Sequence, residues 1–125
     1  MNLLLDTHIF LWCVADDPRL SAAAWSLIQE ADTVHVSSAS LWEATIKHQL
    51  GKLAIDPERL AQAIGASGFL ELPITIRHAV TVARLPPLPR DPFDRLLIAQ
   101  AMQEPLHLVT ADAHLQPYSA LVRLV

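Results

Sequence analysis

Leu3-Leu4-Leu5-Asp6-Thr7-His8 is the stretch on which the fold turns. Three consecutive leucines ending in one carboxylate read as a strand buried on both faces, with an acid at its carboxyl end. Such a strand belongs to a parallel sheet, and open parallel sheets bind ligands just beyond the carboxyl ends of their strands. Asp6 therefore marks where a site is expected. Other acids recur at similar junctions, and each could either cap a helix or hold metal.

Outward from this strand the pattern repeats. A first helix follows Asp6 directly through Ile9-Phe10-Leu11-Trp12 and is ended by Asp16-Asp17-Pro18. Ser21 caps a second helix from Ala22 to about Glu30, and Thr33-Val34-His35-Val36-Ser37 alternates as a β-branched second strand in which His35 is structural. Ser40-Leu41-Trp42-Glu43 opens a helix running to Leu50, with Gly51 just past its end. Asp56-Pro57 starts the next helix. Phe69-Leu70-Glu71-Leu72 is a short strand, followed by a helix near Ile76 to Arg84. Leu85-Pro86-Pro87-Leu88-Pro89 is an extended connector, because prolines remove donors and fix φ. Asp91-Pro92-Phe93-Asp94 begins a helix reaching about Gln103, His107 to Thr110 is the fourth strand, and Leu121 to Val125 supplies a fifth. Strands alternating with helices predict an α/β fold of three layers, α/β/α, around a parallel sheet of about five strands. Residues 1–125 read as one domain.

Composition agrees with a globular chain: 52% of its 125 residues are apolar and 18% charged. The early apolar run is broken by Asp6 and His8 and has no basic residue before it, so neither a signal peptide nor a membrane span is expected. Cys13 is the single cysteine, read as a small core residue, and a reducing cytoplasm is the expected compartment. The net charge of −4 argues against a broad basic surface, although carboxylates gathered round divalent ions would account for most of it. Basic residues nevertheless lie beside the candidate site at Lys47, Lys52, Arg84, Arg90 and Arg95.

Each acid has a structural explanation. Asp6 can cap the first helix, Ser40 and Glu43 fit a capping box, Asp91 can cap the helix that holds Asp94 at its third position, and Asp112 can cap the turn after Thr110. Asp6, Glu43 and Asp112 all follow strands and so share the carboxyl edge of the sheet; spacing leaves open whether Asp94 reaches it. Carboxylates about 5 Å apart repel by roughly 3 kcal/mol per pair at an effective dielectric of 20, a cost that capping alone does not require. Divalent cations relieve it, and all-oxygen ligands select hard ions such as Mg²⁺ or Mn²⁺. The six histidines form no H-x-x-x-H pair and have no cysteine partner, which argues against zinc. Carboxylate-held metal suits in-line attack on a phosphodiester.

Four blocks in order resemble the PIN-domain family, and within it the VapC-type toxins of bacterial toxin–antitoxin pairs. They are Leu4-Leu5-Asp6-Thr7-His8 with Trp12; Ser37 to Glu43 with Ile46-Lys47 and Leu50-Gly51-Lys52-Leu53; Asp91-Pro92-Phe93-Asp94-Arg95 with Leu97 to Ala101; and Leu108-Val109-Thr110-Ala111-Asp112 with Tyr118. The resemblance covers essentially the whole chain. It implies a Mg²⁺- or Mn²⁺-dependent endoribonuclease with one or two ions in an acidic pocket. Asp6, Glu43 and Asp94 correspond to the three core acids and Asp112 to a fourth, which helps with a second ion or orients water. Thr7 and Thr110 match polar positions beside the metals, and Lys47, Lys52 or Arg95 are candidates for phosphate contacts. The resemblance further implies a homodimer, an RNA substrate needed for translation, and a small antitoxin whose tail blocks the pocket. One departure is visible: Pro89 stands before Arg90, where many relatives have histidine.

Two other classes compete. A PIN-type module without catalysis would be marked by loss of a core acid, and none is missing. A receiver-like phosphoacceptor would carry paired acids after the first strand and a late Lys-Pro. Here Asp6 stands alone, and Lys-Pro does not occur.

Overall fold

The computed structural model describes residues 1–88 and 90–125. Pro89, the departure noted above, lies outside the described residues. Strand β1 (Asn2–Leu5) passes straight into helix α1 (Thr7–Ala15), which stops where Asp16 adopts a left-handed conformation (φ 49°) that aspartate tolerates. Helix α2 (Ala22–Glu30) is capped by Ser21, whose side chain accepts the Ala24 amide at 3.1 Å. Then come β2 (Thr33–Ser37), α3 (Ser38–Gln49), α4 (Pro57–Ala66) and β3 (Leu70–Leu72). After α5 (Ile76–Thr81) and a 3₁₀ turn at Val82–Arg84, the connector leads to α6 (Pro92–Gln103) and β4 (His107–Thr110). A second 3₁₀ segment, Ala113–Tyr118, precedes β5 (Val122–Leu124).

All five strands are parallel, in the order β3-β2-β1-β4-β5. Alternation along β1 sends Leu3 and Leu5 to one face and Leu4 to the other. The first face joins Val34, Val36 and Val109 under Ile9, Phe10, Ala24 and Leu60. The second joins Leu72, Leu108 and Val122 under Leu97, Ile98 and Ala101. Both faces are covered, so Leu3, Leu4 and Leu5 of β1 are buried and the three expected layers are present. Cys13 packs at the edge of the first core, where burial pushes its thiol up to about 11. His35 donates through Nδ1–H to the Leu3 carbonyl at 3.1 Å, a structural role as expected.

The strand order also locates the crevice. From β1 the chain moves outward through β2 and β3, then returns across the sheet to β4 on β1's other side. The switch point falls between β1 and β4, where ligands bind in sheets of this type. Asp6 stands there, its amide donating to the Val109 carbonyl at 2.9 Å.

One expected boundary is corrected. Helix α3 opens at Ser38, not Ser40: Ser37, extended at the end of β2, is the N-cap and accepts the Ala39 amide at 3.0 Å. Strand passes into helix without a loop, and of three serines able to cap, the one that still has strand geometry does so. Ser40 and Glu43 therefore form no capping box. Glu43 is in the second turn, where no cap requires a carboxylate.

Candidate functional site

Asp6 is buried, with 6% of its surface exposed, and both of its oxygens are engaged. Oδ1 accepts the Thr7 amide at 2.7 Å and Oδ2 accepts the Thr110 hydroxyl at 2.7 Å. Thr110 Oγ1 in turn accepts the Asp112 amide at 3.0 Å, so one hydroxyl at the end of β4 links two of the acids. Asp112 Oδ1 caps the following turn by accepting the His114 amide at 2.9 Å. The cap and the site are thus the same residue at Asp6 and at Asp112. Thr7 Oγ1 donates to Ser40 Oγ at 2.9 Å, tying α1 to α3 one turn before Glu43. Glu43 pairs with Lys47 one turn later, Nζ to Oε2 at 3.0 Å.

Asp94 enters from α6. Asp91 caps that helix by accepting the amides of Phe93 and Asp94 at 2.8 and 3.1 Å, as expected for the extra acid. Phe93 meets Trp42 edge-to-face at 5.3 Å, which sets the residue before Asp94 against the residue before Glu43. Burial pushes the Asp94 carboxyl up to about 7, and the charges of Asp91, Asp6, Glu43 and Asp112 push in the same direction. Asp6 is also raised above the ordinary carboxylate range, chiefly by burial. Its hydrogen bonds from Thr110 and Thr7 and the nearby His8 oppose the shift, while Glu43 adds to it.

Asp6 and Asp112 open into a hollow of about 470 Å³ shared with His8, Trp12 and Arg19. Among the described residues no three His, Cys, Asp or Glu side chains are drawn into a ready-made ion cage. The donor chemistry nevertheless fits a hard cation. Every candidate ligand is an oxygen, and two of the carboxyls are held in a state that a nearby positive charge would relieve.

The basic residues separate. Lys47 borders the acids. Lys52 lies further along α1 in a neighbouring hollow. Arg95 turns to the connector, its Nη1 donating to the Pro86 carbonyl at 2.6 Å and its Nη2 to Val82 at 3.2 Å. Sequence reasoning missed Ser40, His8 and Arg19 as neighbours of the site. Helical spacing was the available signal for the first two: Ser40 is three residues before Glu43, and His8 is four before Trp12 on one face of α1. Arg19 had none, because it reaches the hollow from the loop after α1.

Comparison with known proteins places this α/β/α fold in a family. The PIN domain family model matches residues 3–120, and the chain belongs to that family. It is 35% identical to Ribonuclease VapC22 of Mycobacterium tuberculosis, an alignment spanning 94% of this chain and 92% of that protein. Its backbone is similar to the crystal structure of VapBC2 from Rickettsia felis bound to a DNA fragment from their promoter. That match has a TM-score of 0.71 at 17% identity, over 100% of this chain and 98% of that one. A toxin–antitoxin complex from Klebsiella pneumoniae has the same fold, with a TM-score of 0.69 at 19% identity over 97% and 95% of the two chains.

Proposed function

We propose that the protein is a Mg²⁺- or Mn²⁺-dependent endoribonuclease acting as the toxin of a toxin–antitoxin pair. The reading is supported by the linkage of Asp6 to Asp112 through the Thr110 hydroxyl and by Asp94, which burial and the charges of Asp91, Asp6, Glu43 and Asp112 raise to about 7. Similarity to a ribonuclease over most of both chains supports it. When bound, the ion supplies an acidified water and neutralises charge on the phosphate.

The chain's own residues supply position and proton control. Asp6 is fixed in one rotamer by Thr7 and Thr110, and so presents its remaining lone pairs in a set direction. Asp94 holds a proton near neutrality and can release it when positive charge arrives. Lys47 keeps Glu43 compensated until then. Asp112, tied to Thr110, orients water or assists a second ion. An antitoxin partner that covers the acids is part of this reading, supported by the toxin–antitoxin complexes that share the fold, and a homodimeric state is part of it on the family resemblance alone. The cytoplasm remains the expected compartment; among the described residues no helix is long and apolar enough to cross a membrane.

Induced expression in bacterial cells tests the toxin role. The wild-type chain should arrest growth, and Asp94→Asn made at the same level should not. Equal arrest by both would remove the acid centre from the toxic activity.

A further inference from the structure

Two hollows meet beside the acid centre. The one that contains Asp6 and Asp112 shares His8, Trp12 and Arg19 with a second, of about 350 Å³, which runs along α1 to Lys47, Lys52 and Ile55. Together they make one cleft with Asp6 and Asp112 at one end and Arg19, Lys47 and Lys52 along the rest, where Asp17 pairs with Arg19. Three of the nine Lys and Arg residues of a net-negative chain line it. Arg19 lies over the Trp12 ring, 5.2 Å from its centroid, held by a fork to Asp17 whose shortest contact is 2.7 Å. His8 leans on the same ring at 6.1 Å. Lys52 is exposed and makes no ion pair among the described residues.

We infer that this cleft holds the nucleotides flanking the cut in a single-stranded RNA, with Trp12 and the Arg19 guanidinium as a stacking platform for one base and Lys52 and Lys47 as phosphate contacts. The inference rests on the ribonuclease reading and adds to it the path of the substrate. An aromatic face topped by a planar guanidinium accepts an unstacked base, which a single strand offers and a duplex does not. Both lysines line the same cleft rather than a separate patch. An acidic peptide would satisfy the lysines but not the stacked pair. Because the cleft opens onto Asp6 and Asp112, a strand bound in it delivers a phosphodiester to the acids.

The test is fluorescence anisotropy with a short labelled single-stranded RNA of mixed sequence, in chelator so that nothing is cut, over a range of salt. Lys52→Gln should weaken binding about five- to tenfold and lower the slope of log affinity against log salt by about 0.7, the loss of one phosphate contact on a single strand. Trp12→Leu, which keeps apolar packing against the core, should weaken binding about fivefold with no change in slope. Arg77→Gln, on α5 away from the cleft, should change neither. Wild-type affinity and slope in Lys52→Gln would overturn the inference and give the cleft to a protein partner, whether or not Trp12→Leu remains folded. Absence of RNA binding by the wild-type chain would overturn it as well. The two readings fail separately: metal-dependent cleavage with unaltered Lys52→Gln binding defeats only the cleft. RNA binding with the predicted losses but no cleavage in any metal defeats only the nuclease.

Discussion

Thr110 donates its hydroxyl to Asp6 and accepts the amide of Asp112, so a residue with no charge fixes two that have one. Thr110→Val keeps the β-branched shape and removes both bonds. It should lower Mn²⁺ affinity about 10–100-fold, the range for groups that orient ligands, while the circular dichroism spectrum stays unchanged. Unaltered affinity in calorimetry would show that Asp6 is positioned by other contacts. Asp94 poses a different test. Its carboxyl titrates near 7 in the folded chain and at 3.8 otherwise, so the folded state binds more protons between those values. Stability should therefore fall as pH rises from about 4 to 7 and level off above. Asp94→Asn removes that loss. The variant should be more stable than wild type by about 1–2 kcal/mol at pH 8 and nearly equal at pH 4, after allowance for partial exposure to solvent. Denaturant titration at the two pH values checks this, and equal differences at both would contradict it. Metal affinity should rise with pH through about 7 as that proton leaves.

At the scale of elements, most boundaries were legible because the local chemistry is unambiguous. Ser21, Asp56-Pro57 and Asp91-Pro92 announce helix starts, and each is the cap observed. The start of α3 was not legible. Ser37, Ser38 and Ser40 are all competent caps, and the choice depends on where β2 ends, which pairing with β1 and β3 decides. That misplacement had a cost in function, since it gave Glu43 a capping role that the structure denies it. Ser37→Ala should destabilise the chain by about 1 kcal/mol in denaturant titration. Ser40→Ala should instead cost little as a cap and loosen the Thr7 contact. A larger loss from Ser40→Ala than from Ser37→Ala would contradict the corrected boundary.

For the whole molecule, what brings the ends of β1 and β4 together is topology. A triple leucine before Asp6 and the run from His107 to Thr110 before Asp112 show two strands followed by acids; neither shows that the strands are neighbours. The order β3-β2-β1-β4-β5 makes them adjacent and puts the crossover between them. Asp94 depends on more still, because α6 must lie with its first turn at the same edge, which the Trp42–Phe93 contact shows and no spacing could. If the gathered acids bind a cation, Mn²⁺ should raise the melting temperature at pH 8 by several degrees at saturating concentration and leave Asp6→Asn unmoved. A shift of equal size in the variant would place the ion elsewhere.

If these acids cut RNA with a divalent ion, cleavage of RNA by the purified chain reports it. Purified chain, free of any partner, would be incubated with total bacterial RNA in Mg²⁺, in Mn²⁺ and in chelator, beside Asp6→Asn. Discrete fragments that require the metal and vanish in the variant are the predicted result. Fragments that persist in chelator, or in a folded Asp6→Asn protein, would contradict the account.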